Sequence, residues 1–224
     1  MSAGFRRFGL LIASCVALAC GDDTGTIGPA PPAPQPGATL RLPLRVHLLS
    51  SRLGPIDATF LDDALQALIV RVNQVWLQAD IVWEIESITR EPAQAEDQVE
   101  AALLAGVPLG ADLILAILPQ DRLFAGAWDA FLVRDLASAA GSPGVYFPDL
   151  PAAVSSEVDP AGVGDPGRIL AHELGHSLML LHVACTAGGN LMAANCDSQD
   201  RTRLSAAQID QARRQAQTGG PARF

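Results

Sequence analysis

The 224-residue chain has no lysine, so all 15 of its basic residues are arginines, set against 24 acidic residues. The net charge of −9 disfavours nucleic acid as a partner, because binding to a phosphate backbone requires a positive surface. The sequence also shows no internal repeat, no glycine-rich phosphate loop and no apolar run long enough to span a bilayer in a mature protein. These absences leave one domain of ordinary size whose chemistry must lie in a few local motifs.

Histidine and tyrosine are also scarce, and their positions are informative. The chain has four histidines and one tyrosine, Tyr146. Three of the four histidines, His172, His176 and His182, lie within eleven residues of one another. Clustered histidines at short, regular spacing are typical of a metal site.

Residues 172–176 read His-Glu-Leu-Gly-His. On a helix, residues four apart project from one face about one turn apart, so His172 and His176 can bind the same metal ion. Asp165 is a good N-cap and Pro166 suits the first helical position, which predicts that this helix starts near 166. Glu173 follows the first ligand and is placed to accept a proton from a metal-activated water.

His182 is the predicted third ligand. An unbroken helix would turn it roughly 80° away from His172, so the helix must break before His182 can reach the metal. A third-ligand glutamate on a later helix is excluded, because no glutamate follows Glu173. Asp197 and Asp200 remain as alternative third ligands, ranked below His182.

This constellation resembles the metzincin metalloproteases, whose signature is HExxHxxGxxH followed by a methionine-containing turn under the metal. Four residues match the signature in register: His172, Glu173, His176 and His182. Residues 190–192, Asn-Leu-Met, resemble the Met-turn. Met179 stands where the family has a glycine in a left-handed conformation, and a non-glycine residue there costs about 1 kcal/mol.

The resemblance implies a zinc endopeptidase with one catalytic zinc ion, the three histidines as its ligands and Glu173 as general base. It also implies a peptide or protein substrate. The alternative is a catalytically weak, zinc-stabilised surface or binding lipoprotein on the same scaffold. Met179 and the absence of a tyrosine after Met192 motivate this alternative, since some metzincins carry a tyrosine there.

The amino terminus predicts export. Two arginines precede an apolar stretch, residues 8–19, which is typical of a signal peptide spanning 1–19. Ala19 before Cys20 resembles a bacterial lipoprotein cleavage site, with Cys20 as the lipidated residue. A cut at Cys15 fits that pattern more literally but leaves a very short apolar region, and ordinary secretion is the other alternative. We expect a monomer in the cell envelope, anchored through Cys20, or a secreted protein.

Residues 20–39 are rich in proline and glycine and predict an extended tether, so the catalytic domain is expected to span 40–218. Cys185 and Cys196 bracket the segment between His182 and the Met-turn. Since exported proteins meet oxidising conditions, we expect a disulfide between them, the alternative being two buried thiols.

The order of predicted elements is strand, helix, strand, helix, strand, which favours an α/β fold with a mostly parallel sheet. These elements lie at 40–49, 61–79, 81–88, 94–105 and 112–118, the last an apolar run expected to be a buried strand. His47 lies on the polar face of the first strand and is expected to be an ordinary surface histidine.

In metzincins an antiparallel edge strand over the cleft binds the substrate, and residues 125–128 are expected to form it here. Residues 145–147 are a further short strand candidate, and 149–164 are expected to be a surface loop before the active-site helix. Ser205 with Gln208 forms a capping box, which predicts a helix closing a small C-terminal subdomain.

Overall fold

The computed structural model describes residues 38–123, 126–158, 165–185, 189–193 and 201–223. Among these residues, no helix is long and apolar enough to cross a membrane. Other residues with a predicted role lie outside these ranges: the signal peptide, Cys20, Cys196, Asp197 and Asp200. Export, lipidation and the domain limits therefore stay predictions.

The described residues form five strands and six α-helices. The strands are β1 Leu40–Ser50, β2 Ile81–Pro92, β3 Trp128–Val133, β4 Gly144–Phe147 and β5 Ala152–Ser156. The helices are α1 Asp62–Trp76, α2 Glu96–Leu104, α3 Ala111–Ala116, α4 Leu136–Ala140, α5 Pro166–Ser177 and α6 Ala206–Ala216.

The strands make one sheet in the order β2-β1-β3-β5-β4. Neighbouring strands are parallel except for β4, which runs antiparallel to β5 at the edge of the sheet. The predicted α/β fold, with a mostly parallel sheet, an antiparallel edge strand and a helix that carries His172 and His176, is confirmed.

Two element predictions between 112 and 133 are wrong. Residues 112–118 lie largely in helix α3 and not in a strand. A short apolar run fits a buried helix as well as a buried strand, and here its apolar side chains pack into the core beside β3. The edge strand predicted at 125–128 is not found in its described part, 126–128, because Trp128 begins β3, a central parallel strand whose six residues are all buried.

The edge of the sheet is formed further along the chain than predicted. The antiparallel edge strand is β4, whose residues were predicted only as a short strand. Strand β5 occupies part of 149–164, which was predicted to be a loop. Its small residues Ala152, Ala153 and Ser155 are fully buried between β3 and β4, and such residues carry little strand signal in a sequence.

The sheet holds α5 against α1 on one face. Alternate residues of β1, such as Leu44 and Val46, point into this core. A Cβ on Gly167, near the start of α5, would lie 2.6 Å from the Cβ of Arg71 in α1, so the two helices are in close contact. Trp76 donates a hydrogen bond from Nε1 to the carbonyl of Ala171, at 3.2 Å. Helix α5 is thereby held against α1 at two points along its length.

His47 is not a surface residue, which corrects the prediction. The residue is 3% exposed, and its ring stacks on Phe131 with ring centroids 4.4 Å apart. Its Nε2 lies 2.9 Å from Asp129 Oδ1 on β3, and its Nδ1 lies 3.1 Å from Glu91 Oε1 on β2. Period-two alternation placed His47 on the second face of the sheet correctly, but it could not show that this face is also covered. We call His47, Asp129 and Glu91 the His47 cluster.

The helix that closes the chain begins as predicted. Ser205 and Gln208 make both hydrogen bonds of the capping box at the start of α6. Leu204 and Ile209, on either side of it, pack against the core. The packed region continues beyond residue 218, since Ala222 donates a hydrogen bond to the carbonyl of Ser177 at 2.8 Å.

Candidate metal centre

Helix α5 carries the first two histidines on one face. Asp165 caps its start by accepting a hydrogen bond from the backbone of Gly167 at 2.9 Å, and Pro166 occupies the first turn. His172 and His176 lie one turn apart, with ring centroids 4.9 Å apart. The helix ends at Ser177, five residues before His182.

Met179 turns the chain back towards the helix. Its φ is 65°, which is the left-handed conformation expected at this position, where the metzincin signature has a glycine. The turn is held by hydrogen bonds from Met179 N to His176 O and from Leu180 N to Gly175 O, both 3.0 Å. Because the chain reverses here instead of continuing the helix, His182 comes to lie beside the first two histidines.

The three histidines converge through the same ring atom. His182 Nε2 lies 3.1 Å from His172 Nε2 and 3.1 Å from His176 Nε2. All three ligand atoms lie within 4.8 Å of one another. Nitrogen atoms about 2.0–2.1 Å from a tetrahedral zinc ion are about 3.3 Å apart, so the spacing of this group fits one ion.

The backbone decides which ring nitrogens face the metal position. His172 Nδ1 lies 2.7 Å from the carbonyl of Leu191, and His176 Nδ1 lies 2.7 Å from the carbonyl of Leu180. A carbonyl only accepts, so both Nδ1 atoms carry the proton and both Nε2 atoms present a lone pair. Burial lowers the pKa of each of these histidines to about 4, which keeps them neutral at pH 7, as metal ligation requires. Converging lone pairs repel one another unless a cation lies between them, and the site therefore fits a metal ion.

Met192 packs against the backbone of α5. A Cβ on Gly175 would lie 2.6 Å from Met192 Sδ, so the thioether packs directly against the backbone of α5 between its two histidines. The carbonyl of Met192 accepts a hydrogen bond from Val183 N at 3.0 Å, which ties the Met-turn to the segment carrying His182. Asn190 Nδ2 donates to Gln208 Oε1 at 2.7 Å and joins the Met-turn to α6.

Glu173 lies buried next to the edge strand. It is 6% exposed, and burial raises the pKa of its carboxyl to about 8. A Cβ on Gly144, the first residue of β4, would lie 2.7 Å from Glu173 Oε1. Glycine at 144 therefore leaves room for the carboxylate. A dication at the three histidines would favour the ionised carboxylate and lower its pKa.

The predicted disulfide has one of its two cysteines, Cys185, within the described residues. Cys185 is disulfide-bonded. Cys196 lies outside the described residues, so its pairing with Cys185 stays a prediction, and the same holds for Asp197 and Asp200 as alternative ligands.

Sequence reasoning missed two residues of β4 that contact the metal centre. Gly144 lies against Glu173, and Tyr146 lies beside His176 with ring centroids 6.4 Å apart and an interplanar angle of 25°. Both reach the site across some thirty positions of sequence, through the pairing of β4 with β5. The GVYF run signals a short strand, but nothing local signals its neighbour in space.

No protein-family model matches the chain, and no curated protein sequence matches it. Among solved structures it is similar to metalloproteinase-II from Bacteroides fragilis, at 15% identity over 78% of this chain, with a TM-score of 0.48. The chain spans about half of that protein, 52% of its length. It is similar to archaemetzincin from Methanopyrus kandleri, at 15% identity over 82% of this chain and 98% of the other, with a TM-score of 0.48.

A third similar structure is described as a chaperone-substrate complex, at 11% identity over 80% of this chain and 34% of the other, with a TM-score of 0.43. All three TM-scores are below 0.5 and all identities are 15% or less. The function must therefore be argued from the geometry of the metal centre itself.

Proposed function

We propose that this chain is a zinc-dependent endopeptidase in which the three histidines hold one zinc ion and Glu173 is the general base. The observation that carries the proposal is the convergence of three Nε2 atoms, two of them fixed as lone-pair donors by backbone carbonyls. Neutral imidazoles in a three-ligand set leave a fourth position open, as catalytic zinc sites do.

The metal centre and Glu173 have different roles in the proposed hydrolysis of a peptide. Bound zinc would supply Lewis acidity to a water molecule and to the substrate carbonyl. The Glu173 carboxylate accepts the proton of the attacking water and then donates it to the nitrogen of the leaving amine. Its buried position supports this role, because a carboxylate in a low-dielectric pocket is a stronger base than one in water.

Strand β4 supports a peptide as the substrate. It is the last strand of the sheet and pairs with β5 on one side, while no described strand pairs with its other side. An extended peptide can add to such an edge through backbone hydrogen bonds. Because Gly144 lies against Glu173, a peptide bound along β4 passes the general base.

The test combines metal content with hydrolysis of a library of quenched fluorescent peptides. We expect about one zinc per chain, and Glu173→Gln should retain the metal while losing about 10²–10⁴-fold in hydrolysis rate. Glu91→Gln is the matched control, since it alters another buried glutamate, in the His47 cluster, and should leave hydrolysis unchanged. An unchanged rate in Glu173→Gln would remove the peptidase proposal.

One observation supports the alternative, a zinc-stabilised binding protein with weak catalysis. Tyr146 is buried and its hydroxyl donates to the carbonyl of Ala222 at 2.6 Å, so the chain's only tyrosine cannot also contact a substrate carbonyl in this geometry. Its other motive, Met179, is weakened because that residue adopts the left-handed turn. Bound zinc with no hydrolysis of any library peptide would favour this alternative.

An exported, lipid-anchored form is the second part of the proposal. It rests on the apolar leader and on Ala19 before Cys20. Cys20→Ser should release the protein from membranes in a bacterial host, measured by fractionation and by labelling with a fatty-acid analogue. Unaltered fractionation would point to Cys15 or to a soluble secreted form.

A further inference from the structure

After α6 the chain turns back towards α5, the helix that carries His172 and His176. Residues 219–223 make this return, and we call them the closing segment. Gly219 makes the turn with a φ of 80°. Gln215 Nε2 donates to the carbonyl of Gly220 at 3.0 Å, and a Cβ on Gly220 would lie 3.4 Å from Gly126 Cα. Ala222 is 3% exposed. The segment is therefore packed into the domain and does not trail into solvent.

The closing segment completes the end of α5. The last carbonyls of a helix have no partner within the helix and must find one elsewhere. Residues of the turn after the helix satisfy the carbonyls of Gly175 and His176. The carbonyl of Ser177, the residue after the second metal ligand, accepts its hydrogen bond from Ala222 N at 2.8 Å.

Ala222 also holds the aromatic ring beside His176. Its carbonyl accepts a 2.6 Å hydrogen bond from the hydroxyl of Tyr146. The Tyr146 ring lies nearly parallel to the His176 ring at a centroid distance of 6.4 Å, within the range in which aromatic rings attract. Ala222 thus forms hydrogen bonds both to the backbone of Ser177, next to His176 in sequence, and to Tyr146, whose ring lies beside the His176 ring.

We propose that Tyr146, held in place by Ala222, is a positioning residue for His176, so that the closing segment sets the affinity of the metal centre. The inference rests on the proposed metal site. The hydrogen bond from His176 Nδ1 to the carbonyl of Leu180 restrains one edge of the ring. The Tyr146 ring lies beside it and limits rotation about the Cβ–Cγ bond of His176, which helps to aim the Nε2 lone pair.

The experiment measures zinc affinity by competition with a chromogenic chelator, and the ligand field through the visible absorption of the cobalt(II) form. Tyr146→Phe keeps the ring and loses the hydroxyl bond to Ala222. It should weaken zinc binding about tenfold, the lower end of what residues that orient metal ligands contribute, and alter the cobalt spectrum. Tyr146→Leu loses the ring as well and should weaken binding further.

Ala222→Pro removes the N–H that reaches Ser177, and it should weaken zinc binding in the same direction. Because both variants act through one network, Tyr146→Phe with Ala222→Pro should cost less affinity than the sum of the two single changes. Asn73→Ala is the stability control. It removes the hydrogen bonds between Asn73 and the backbone of Trp83, at the opposite edge of the sheet, and should lower the Tm without changing zinc affinity.

The outcomes separate the two proposals. Wild-type protein that binds no zinc would end the proposed function. Wild-type protein that binds zinc, with an unchanged affinity and cobalt spectrum in Tyr146→Phe, would overturn the positioning role alone. Equal losses of affinity in Tyr146→Phe and Asn73→Ala would also overturn it, since general destabilisation would then explain both.

Discussion

The two faces of the sheet each carry a histidine cluster, and the clusters differ in what surrounds the rings. In the metal centre, the Nδ1 atoms of His172 and His176 face neutral backbone carbonyls. In the His47 cluster, both ring nitrogens face carboxylate oxygens, of Asp129 and Glu91. The first arrangement leaves lone pairs directed at a common point, while the second surrounds one ring with acceptors on both sides.

The comparison shows that partners, and not the residue type, decide what a buried histidine does. A ring whose two nitrogens each lie against a carboxylate oxygen on a neighbouring strand directs neither nitrogen at a point shared with another histidine. A ring with one nitrogen on a carbonyl keeps the other as a ligand. His47 therefore joins strands β1, β2 and β3, whereas the three histidines beside α5 can share a cation.

The largest difference should appear in metal binding. His176→Ala removes one of two ligands that the helix holds in place, so stoichiometric zinc binding should be lost. His47→Gln alters the histidine on the other face of the sheet and should leave about one zinc per chain, as determined by atomic absorption after dialysis. Zinc retained in the first variant, or lost in the second, would reverse the roles assigned to the two clusters.

In the metal-free protein, a substitution in the His47 cluster should lower stability more than a substitution in the metal centre. His47→Leu removes the ring contacts of two buried carboxylates, and leaving such acceptors unsatisfied should lower the free energy of unfolding by about 1–3 kcal/mol. His182→Ala changes an exposed side chain and should alter it by no more than about 0.5 kcal/mol without zinc. Urea denaturation in the presence of a chelator measures both. Equal losses would mean that the His47 cluster contributes no special stability.

The smallest effect concerns the turn that delivers His182. Met179 is 39% exposed and has a φ of 65°, so Met179→Gly should relieve backbone strain and stabilise the fold by about 1 kcal/mol. Ala95 has a φ of 48° at the start of α2, far from the histidines in sequence, and Ala95→Gly is the matched control with a gain of the same sign. Thermal unfolding would detect both, and a lower Tm in Met179→Gly would argue against the left-handed turn.

Much of the fold and of the metal centre could be predicted because the relevant signals are local. The alternation of β1, the cap at Asp165 and the spacing of His172 and His176 depend on the geometry of a single strand or helix. A break in the helix before His182 could also be anticipated, because His182 cannot reach the metal while the helix continues, and the resemblance to metzincins located its left-handed turn at Met179.

Errors arose where several structures satisfy the same local pattern. Residues 112–118 are apolar enough for a buried strand or a buried helix, and the choice depends on β3 occupying the place beside β1. The run 149–164 has no strong strand signal, yet β5 forms within it because β3 and β4 supply partners on both sides.

By itself, then, the sequence determined which residues could bind a metal, where their helix begins and where it must break. Tertiary structure alone decided that His47 is buried, that Gly144 makes room for Glu173 and that Tyr146 lies beside His176. Asp129 is 82 positions from His47, and Ala222 is 76 positions from Tyr146. Contacts over such distances form only when strands and helices pack, and no period of 2 or 3.6 residues encodes them.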